Sequence, residues 1–308
     1  MIWHRGKRAR GSTQIILFED GEESLFDENR KGFGGTALNN LGHIAFMITL
    51  GSGCGNGNAE IHLYDGNDIA LVSDGVTSNQ AQKINDDDTI VWVRFDFCQN
   101  PWQSDIMRYA DGQVTQLTTG LFQANGPEIN NVGQITFTNK YPVEGGGYQS
   151  ALKLWENGRI RTITDWGRAS EINDNGVIAF NRWHDDNDTW QVWIYIEDDF
   201  FQLTDDEFWN FDGKINNAGE IAFHAGNVPF TDIKYMRRIR TGEADFDGHI
   251  DLKDAAAFQN CMTGPGDFDG TVGGFDRLCD CRFLDIDHDR DVDRDDYALF
   301  ATAMTGPQ

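Results

Sequence analysis

Two acidic loops near the end of the sequence have the residue types and the spacing of a divalent-cation site. Each loop is twelve residues long and has a carboxylate at positions 1, 3, 5, 9 and 12. Ca²⁺ takes about six to eight hard oxygen ligands, and this spacing lets one chain wrap around one ion, with a backbone carbonyl at position 7. The predicted metal-binding residues are Glu243, Asp245, Asp247, His249, Asp251 and Asp254 in loop one, and Asp285, Asp287, Asp289, Asp291, Asp293 and Asp296 in loop two.

A short helix is predicted after each loop. Residues 254–265 and 296–307 align without a gap, and both end on Gly followed by Pro, a pair that stops helices. A calcium loop with a following helix and no preceding one is half of an EF-hand, and two such halves in residues 242–308 resemble a dockerin. The sequence departs from that family at Glu243, which replaces Asp at position 1, and at Arg290, which replaces the turn glycine at position 6. The alternative is a solvated acidic tail.

The resemblance to dockerins implies Ca²⁺ as a cofactor and a cohesin-like protein domain as a partner. In that family, loop positions 10 and 11 help to select the partner. Here they are Leu252, Lys253, Arg294 and Asp295. The resemblance also implies an extracellular or cell-surface location, although residues 1–13 contain no apolar segment typical of a signal peptide.

The composition excludes several classes of partner. A net charge of −25 argues against nucleic acids and anionic membranes, and no apolar run approaches the about twenty residues that span a bilayer. The five cysteines predict two disulfides and one remaining thiol in an oxidising compartment. We expect Cys54 to pair with Cys98, and Cys261 to pair with Cys279 or Cys281.

The rest of the chain is an internal repeat. Five nine-residue segments, which begin at Leu38, Ile84, Ile129, Ile172 and Ile215, align without gaps at intervals of 43 to 46 residues. Each reads as strand, tight turn and strand, because Asn, Asp and Gly tolerate the backbone of a hairpin turn and apolar residues alternate after it. A second hairpin, with an aromatic residue, a turn and an apolar position, follows each segment.

Four strands in about 44 residues match a β-propeller blade. The chain begins with a second hairpin, residues 15–26, and the repeat ends with a first hairpin, residues 214–224. We therefore predict an all-β five-bladed propeller, with a fifth blade composed of both terminal hairpins, in residues 1–241, plus a small α-helical EF-hand-like dockerin domain in residues 242–308. A parallel β-solenoid is the alternative.

Function is expected where the blades differ. The asparagine that recurs in every unit is interpreted as structural, because Asn before a tight turn bonds its own backbone. These residues are Asn39, Asn85, Asn130, Asn173 and Asn216. Aromatic residues in the variable loops suit sugar rings, which stack on flat side chains. The predicted ligand-binding residues are Trp102, Tyr148, Trp166, Trp183, Trp190 and Trp209.

The resulting hypothesis is an extracellular, dockerin-bearing propeller that acts as a non-catalytic binding or display module for a polysaccharide or a cell-surface glycan. The first alternative is a glycoside hydrolase that uses paired loop carboxylates. Its candidate residues are Asp185, Asp186, Asp205, Asp206 and Glu207. The second alternative is a structural surface or filament subunit. No catalytic residue is assigned, because the sequence contains no serine elbow, phosphate loop or zinc helix motif.

Overall fold

The nine-residue repeats form five β-hairpins in a computed structural model of the chain. In the first, the N–H of Asn39 donates to the carbonyl of His43 at 3.1 Å, and the N–H of Gly42 donates to the carbonyl of Asn39 at 3.2 Å. Gly42 has a φ of 83°, a left-handed conformation that favours glycine. The prediction of strand, tight turn and strand is confirmed. The structure describes residues 2–6, 13–19, 22–25, 33–51, 58–74, 77–98, 103–119, 123–184, 189–196, 198–226, 232–236, 255, 258, 286 and 292–303.

Four antiparallel blades of four strands each make up the middle of the chain, and one parallel pair, Ala59↔Ser78, joins the first two blades into an eight-stranded sheet. The first contains β4 (Phe33–Leu38), β5 (Ile44–Gly51), β6 (Asn58–Tyr64) and β7 (Ile69–Leu71). The second contains β8 (Ser78–Ile84), β9 (Ile90–Asp96), β10 (Gln103–Ala110) and β11 (Gln113–Gln116). The third contains β12 (Ala124–Ile129), β13 (Ile135–Pro142), β14 (Tyr148–Glu156) and β15 (Arg159–Thr164). The fourth contains β16 (Gly167–Ile172), β17 (Ile178–His184), β18 (Thr189–Ile196) and β19 (Asp199–Gln202).

A three-stranded sheet lies at each end of the repeat. The N-terminal sheet contains β1 (Ile2–Gly6), β2 (Thr13–Glu19) and β3 (Glu22–Leu25). The C-terminal sheet contains β20 (Asn210–Ile215), β21 (Ile221–Ala225) and β22 (Asp232–Met236).

The composite fifth blade predicted from the two ends is therefore wrong within the described strands. β2 pairs with β1, and β21 pairs with β22, so each terminal hairpin already has a third strand from its own end of the chain. Because a strand has only two edges, these neighbours occupy the edges that the composite blade required.

Apolar side chains from consecutive sheets build the core. The third strand of each complete blade presents a fully buried aliphatic residue to the following blade. Val192, for example, packs with Ile221 and Phe223 of the next sheet. Ile15 has the same role in the N-terminal sheet, where it contacts Ile44. The equivalent residues in the other complete blades are Ile61, Ile106 and Leu152. This arrangement is a β-propeller, as the sequence predicted.

The chain divides into two compact units, Met1–Met236 and Arg237–Gln308. The second unit contains α1 (Arg294–Ala303), the only helix whose whole length lies in the described part of the chain. A separate helical dockerin domain is thus not shown, although α1 begins inside the predicted second calcium loop. Among the described residues, no helix is long and apolar enough to cross a bilayer.

Candidate functional site

Four charged side chains meet where the first strands of the blades converge. Lys83, Glu128, Glu171 and Lys214 lie on β8, β12, β16 and β20, each one residue before the repeated Ile–Asn pair. These strands contact one another in chain order. Each charged residue directly follows a shift in strand register. A bulge of this kind turns the next side chain toward a new direction.

Three ion pairs connect these four residues, two between adjacent sheets and one across an intervening blade. Lys83 Nζ lies 2.6 Å from Glu128 Oε1, and Lys214 forms a short pair with Glu171 Oε2. Lys214 Nζ also lies 3.8 Å from Glu128 Oε1, although β12 and β20 belong to sheets separated by a whole blade. A contact of this range requires the side chains to point toward a common centre. We call these four residues the charged centre.

Glu128 is the most perturbed residue of the charged centre. Its side chain is 13 % exposed, and burial together with the nearby Glu171 carboxylate raises the Glu128 pKa to about 7, against the attraction of Lys83 and Lys214. Burial acts to lower the pKa of Lys214, but Glu171 and Glu128 outweigh it, so the Lys214 pKa is raised. Glu128 can therefore exchange a proton near neutral pH while Lys214, with its raised pKa, stays charged.

The repeated asparagines surround the same centre at the turn end of the blades. Asn39 Oδ1 accepts the N–H groups of Leu41 at 3.1 Å and His43 at 2.9 Å, as the structural interpretation predicted. Asn39 Nδ2 also donates to the carbonyl of Asn85 on the next blade at 3.0 Å. The same inter-blade bond continues from Asn85 to Asn130, Asn173 and Asn216. Turn residues from all five hairpins line a cavity of about 180 Å³, which shows that they converge.

The structure brings together three of the six predicted aromatic ligand residues. The ring centroids of Trp183 and Trp190 are 5.3 Å apart, and those of Trp183 and Trp209 are 6.4 Å apart. Arg168 covers the Trp190 ring at 3.6 Å, so that face is already occupied. Tyr148 is exposed on the third blade, and Trp166 is exposed in the connection between the third and fourth blades. Trp102 lies outside the described residues.

The carboxylates proposed for hydrolysis are only partly described. Asp206 Oδ1 accepts hydrogen bonds from Asn210 Nδ2 at 2.7 Å and from the N–H of Phe208 at 3.0 Å, which is a turn-stabilising role. Asp205 and Glu207 are exposed neighbours of Asp206. Asp185 and Asp186 lie outside the described residues.

Only part of the predicted calcium region is described. Asp296, at position 12 of loop two, is fully buried, and its carboxylate accepts the N–H groups of Ile286 and Asp293, at loop positions 2 and 9. The loop is therefore closed by its last residue. Arg294 and Asp295, two of the predicted docking residues, are exposed at the start of α1. Leu252, Lys253 and the other ten predicted metal ligands lie outside the described residues, and the described part contains no group of metal-binding side chains.

Only one of the five cysteines lies among the described residues. Cys98 is disulfide-bonded and exposed. The other four cysteines, at positions 54, 261, 279 and 281, lie outside the described residues. The pairings of Cys54 with Cys98, and of Cys261 with Cys279 or Cys281, stay predictions.

Sequence reasoning missed the charged centre. It assigned function to the variable loops and treated the region around the recurring asparagine as purely structural. The available signal was the residue before each Ile–Asn pair. It is Lys83, Glu128, Glu171 or Lys214 in four units, whereas the Ile–Asn pair that follows it is constant in those units. A position that changes charge inside a constant repeat is where the blades differ.

No protein-family profile and no curated protein matches this sequence. Several solved structures resemble the fold. An acylaminoacyl peptidase in complex with Z-Gly-Gly-Phe-chloromethyl ketone matches with a TM-score of 0.58 and 13 % identity, over 77 % of this chain and 43 % of that one. An acylaminoacyl peptidase of Pyrococcus horikoshii matches with a TM-score of 0.57 and 13 % identity, over 76 % and 42 %. A puromycin hydrolase matches with a TM-score of 0.53 and 14 % identity, over 77 % and 43 %.

These likenesses show a propeller fold, and the chain spans less than half the length of the three proteins it matches. They contradict the function expected from the sequence. The resembling structures are peptidase-related propellers, not dockerin-bearing binding modules or glycoside hydrolases. The predicted roles in glycan binding, glycoside hydrolysis and surface or filament structure are therefore wrong.

Proposed function

We propose that the propeller of this chain binds peptides and that the charged centre holds their charged groups. The observation that carries the proposal is the convergence of Lys83, Glu128, Glu171 and Lys214 from four sheets. A short peptide has an ammonium group and a carboxylate within a few residues of each other. A site with both signs of charge in contact can pair with both groups.

The exposure of the charged centre supports a ligand-binding role. The side chain of Lys214 is 59 % exposed, whereas that of Glu128 is 13 % exposed. Lys214 is thus the accessible member, held in place by two carboxylates. A ligand carboxylate can reach Lys214, while a ligand ammonium competes for the glutamates. Charge-assisted hydrogen bonds of this kind are stronger than neutral ones.

The comparisons supply the choice of peptides as the ligand class. The resembling proteins are named as peptidases and a hydrolase of puromycin, and one was solved with a peptide-like chloromethyl ketone. Because the fold alone does not determine function, the proposal takes from them only the ligand class and assigns no catalytic step to this chain.

The test is calorimetric titration of the whole chain with short peptides that differ only at their ends. Gly-Gly-Phe with both termini charged should bind more tightly than its N-acetylated, C-amidated form. Lys214→Gln should weaken binding of the charged peptide by about tenfold, the scale of one charge-assisted contact. The matched control is Lys153→Gln on β14, whose Nζ bonds Thr162 away from the charged centre. Equal affinity for charged and capped peptides, or equal loss in both variants, would refute the proposal.

We also propose that Ca²⁺ is a structural cofactor of the second unit. The buried Asp296 carboxylate, bonded to loop positions 2 and 9, supports a loop that folds back on itself. The donor set suits this ion, because Asp285, Asp287, Asp289 and Asp293 would add hard oxygens at the spacing that Ca²⁺ takes. The extracellular location expected from the sequence stays a prediction.

A further inference from the structure

A second cavity, of about 830 Å³, lies beside the last sheet and apart from the charged centre. Buried Phe223 and Ala225 of β21 form part of its apolar wall, and half-exposed Phe208 stands at its edge. The volume falls within the range of small-molecule sites, about 300 to 1,000 Å³. Such sites combine apolar walls with a few placed polar groups, so the polar groups of this cavity indicate its ligand.

Asn210 supplies a buried acceptor on the cavity wall. Its side chain is fully buried, and its Nδ2 donates to Gln191 Oε1 at 3.0 Å and to Asp206 Oδ1 at 2.7 Å. Because these partners only accept hydrogen bonds, they determine which end of the amide faces them. Asn210 Oδ1, at the other end, has no hydrogen-bond partner in the described structure. Buried acceptors are rarely left unsatisfied, so a ligand with an N–H group suits this position.

The charge of the cavity rim selects the sign of the ligand. Among the described residues that line the cavity, three carry a carboxylate, Asp205, Asp206 and Asp232, and one carries an ammonium group, Lys234. The excess of negative charge attracts a cation and disfavours an anion.

We propose that this cavity binds an organic ammonium ion with an aromatic or aliphatic body. The apolar body packs against Phe223 and Phe208, an N–H of the ligand donates to Asn210 Oδ1, and the rim carboxylates balance the positive charge. This site does not depend on peptide binding at the charged centre.

The probe is 2-phenylethylammonium, titrated into the whole chain and followed by NMR. Two comparison ligands keep the ring and change the charge: neutral 2-phenylethanol and anionic 3-phenylpropionate. The amine should bind at least about threefold more tightly than the alcohol, which is the scale of a partly exposed charge pair, and the anion more weakly than both. The side-chain amide resonances of Asn210 should shift on titration with the amine.

Matched variants locate the site. Asp232→Asn should weaken amine binding about threefold and leave alcohol binding unchanged, whereas Asp199→Asn, an exposed acid on β19 outside the cavity, should change neither. Phe208→Ala should weaken both ligands, and Phe201→Ala, with similar exposure of 46 % against 44 %, should not. Lys214→Gln should have no effect, which separates this site from the charged centre. Failure of the amine to bind, equal binding of amine and alcohol, or equal effects of Asp232→Asn and Asp199→Asn would overturn the proposal.

Discussion

At the scale of single residues, the propeller combines repeated asparagine hydrogen bonds with one carboxylate whose pKa is strongly raised. Each repeated asparagine bonds its own turn, and the first four also bond the turn of the next blade, so a chain of four side-chain hydrogen bonds links the five hairpins. Glu128 is different, because burial acts against its negative charge.

The perturbed Glu128 predicts a pH-dependent stability. Its pKa is raised from 4.5 to about 7, so between these pH values the folded protein keeps a proton that the unfolded chain has lost. This contribution to stability is fully present below pH 4.5 and is lost as the pH rises through 7. The loss corresponds to about 3 kcal/mol.

Glu128→Gln should remove that loss, since glutamine resembles the protonated acid. As the pH rises from 5 to 8, the free energy of unfolding of the variant should increase by about 2 kcal/mol relative to that of the unsubstituted chain, as measured by urea unfolding. Glu22→Gln, at an exposed position of β3, should show no such difference. A constant offset of Glu128→Gln across this pH range would contradict the assignment.

The asparagine ladder predicts a large effect of a small truncation. Asn85 is buried, donates to the Asn130 carbonyl at 3.2 Å and accepts the N–H of Thr89 at 3.0 Å. Asn85→Ala leaves these partners unsatisfied and should cost about 2–4 kcal/mol in the free energy of unfolding. Asn40→Ala, in an exposed pair with Asp86, should cost less than about 1 kcal/mol. Similar losses in the two variants would show that the ladder is not specially stabilising.

At the scale of elements, a hydroxyl that follows the fourth strand satisfies the third strand of the same blade. Thr204 Oγ1 accepts the N–H of Val192 at 2.9 Å, and Thr118 Oγ1 accepts the N–H of Ile106 at the same distance. Ser73 does the same for Ile61. These N–H groups belong to the buried residues that pack against the next blade, so the hydroxyl replaces a missing ladder bond.

Thr204→Val should therefore destabilise the propeller although it adds an apolar group to the core. An unsatisfied buried N–H costs about 1–3 kcal/mol, which denaturant unfolding can resolve. Thr115→Val on exposed β11 is the control, because the same change there should lie within about 0.5 kcal/mol of zero. A neutral Thr204→Val would mean that water or a backbone shift satisfies Val192.

The N-terminal strand β1 covers one edge of β2. The sequence predicted the earliest hairpin at residues 15–26 and no strand before it, whereas β1 pairs with β2 from Ile2↔Leu17 to Gly6↔Thr13. Deleting residues 1–6 should expose the edge of β2 and cause aggregation, as judged by size-exclusion chromatography. Replacing residues 2–6 by alternating Thr and Val should preserve a monomer, since both residues favour strands. A soluble, monomeric deletion variant would show that β1 is not needed.

At the scale of the whole molecule, the two units should respond separately to Ca²⁺. All nine tryptophans lie before residue 237, so tryptophan fluorescence follows the propeller alone. In the second unit, Phe258 packs against Phe300 with ring centroids 5.1 Å apart, and these residues occupy equivalent places in the two predicted copies. Loss of Ca²⁺ should loosen this packing because the loop carboxylates then repel one another.

Adding a chelator should speed hydrogen exchange of the amides of α1 and leave the thermal transition seen by tryptophan fluorescence unchanged. Asp247→Ala, in loop one, should weaken Ca²⁺ binding, and Asp105→Ala, in the propeller, should not. Exchange rates that are identical with and without chelator would count against the cofactor.

The repeat itself determined the strands, the turns and the propeller. Asn, Gly and alternating apolar residues specify hairpins through local backbone preferences, and the Asn side chains bond their own turns as expected. Such interactions involve neighbours in the chain, so a single sequence reveals them.

Only the tertiary structure showed which residues that are far apart in the sequence lie in contact. Lys214 contacts Glu128 because a bulge in each first strand turns both side chains toward the same centre. The sequence around either residue contains no pattern that predicts this contact. The edge of β2 is taken by β1, which repeat counting did not anticipate, because an irregular, basic segment gives no alternating pattern. The acceptor at Asn210 lies on a cavity wall for the same reason, since its partners are set by packing between blades rather than by sequence spacing.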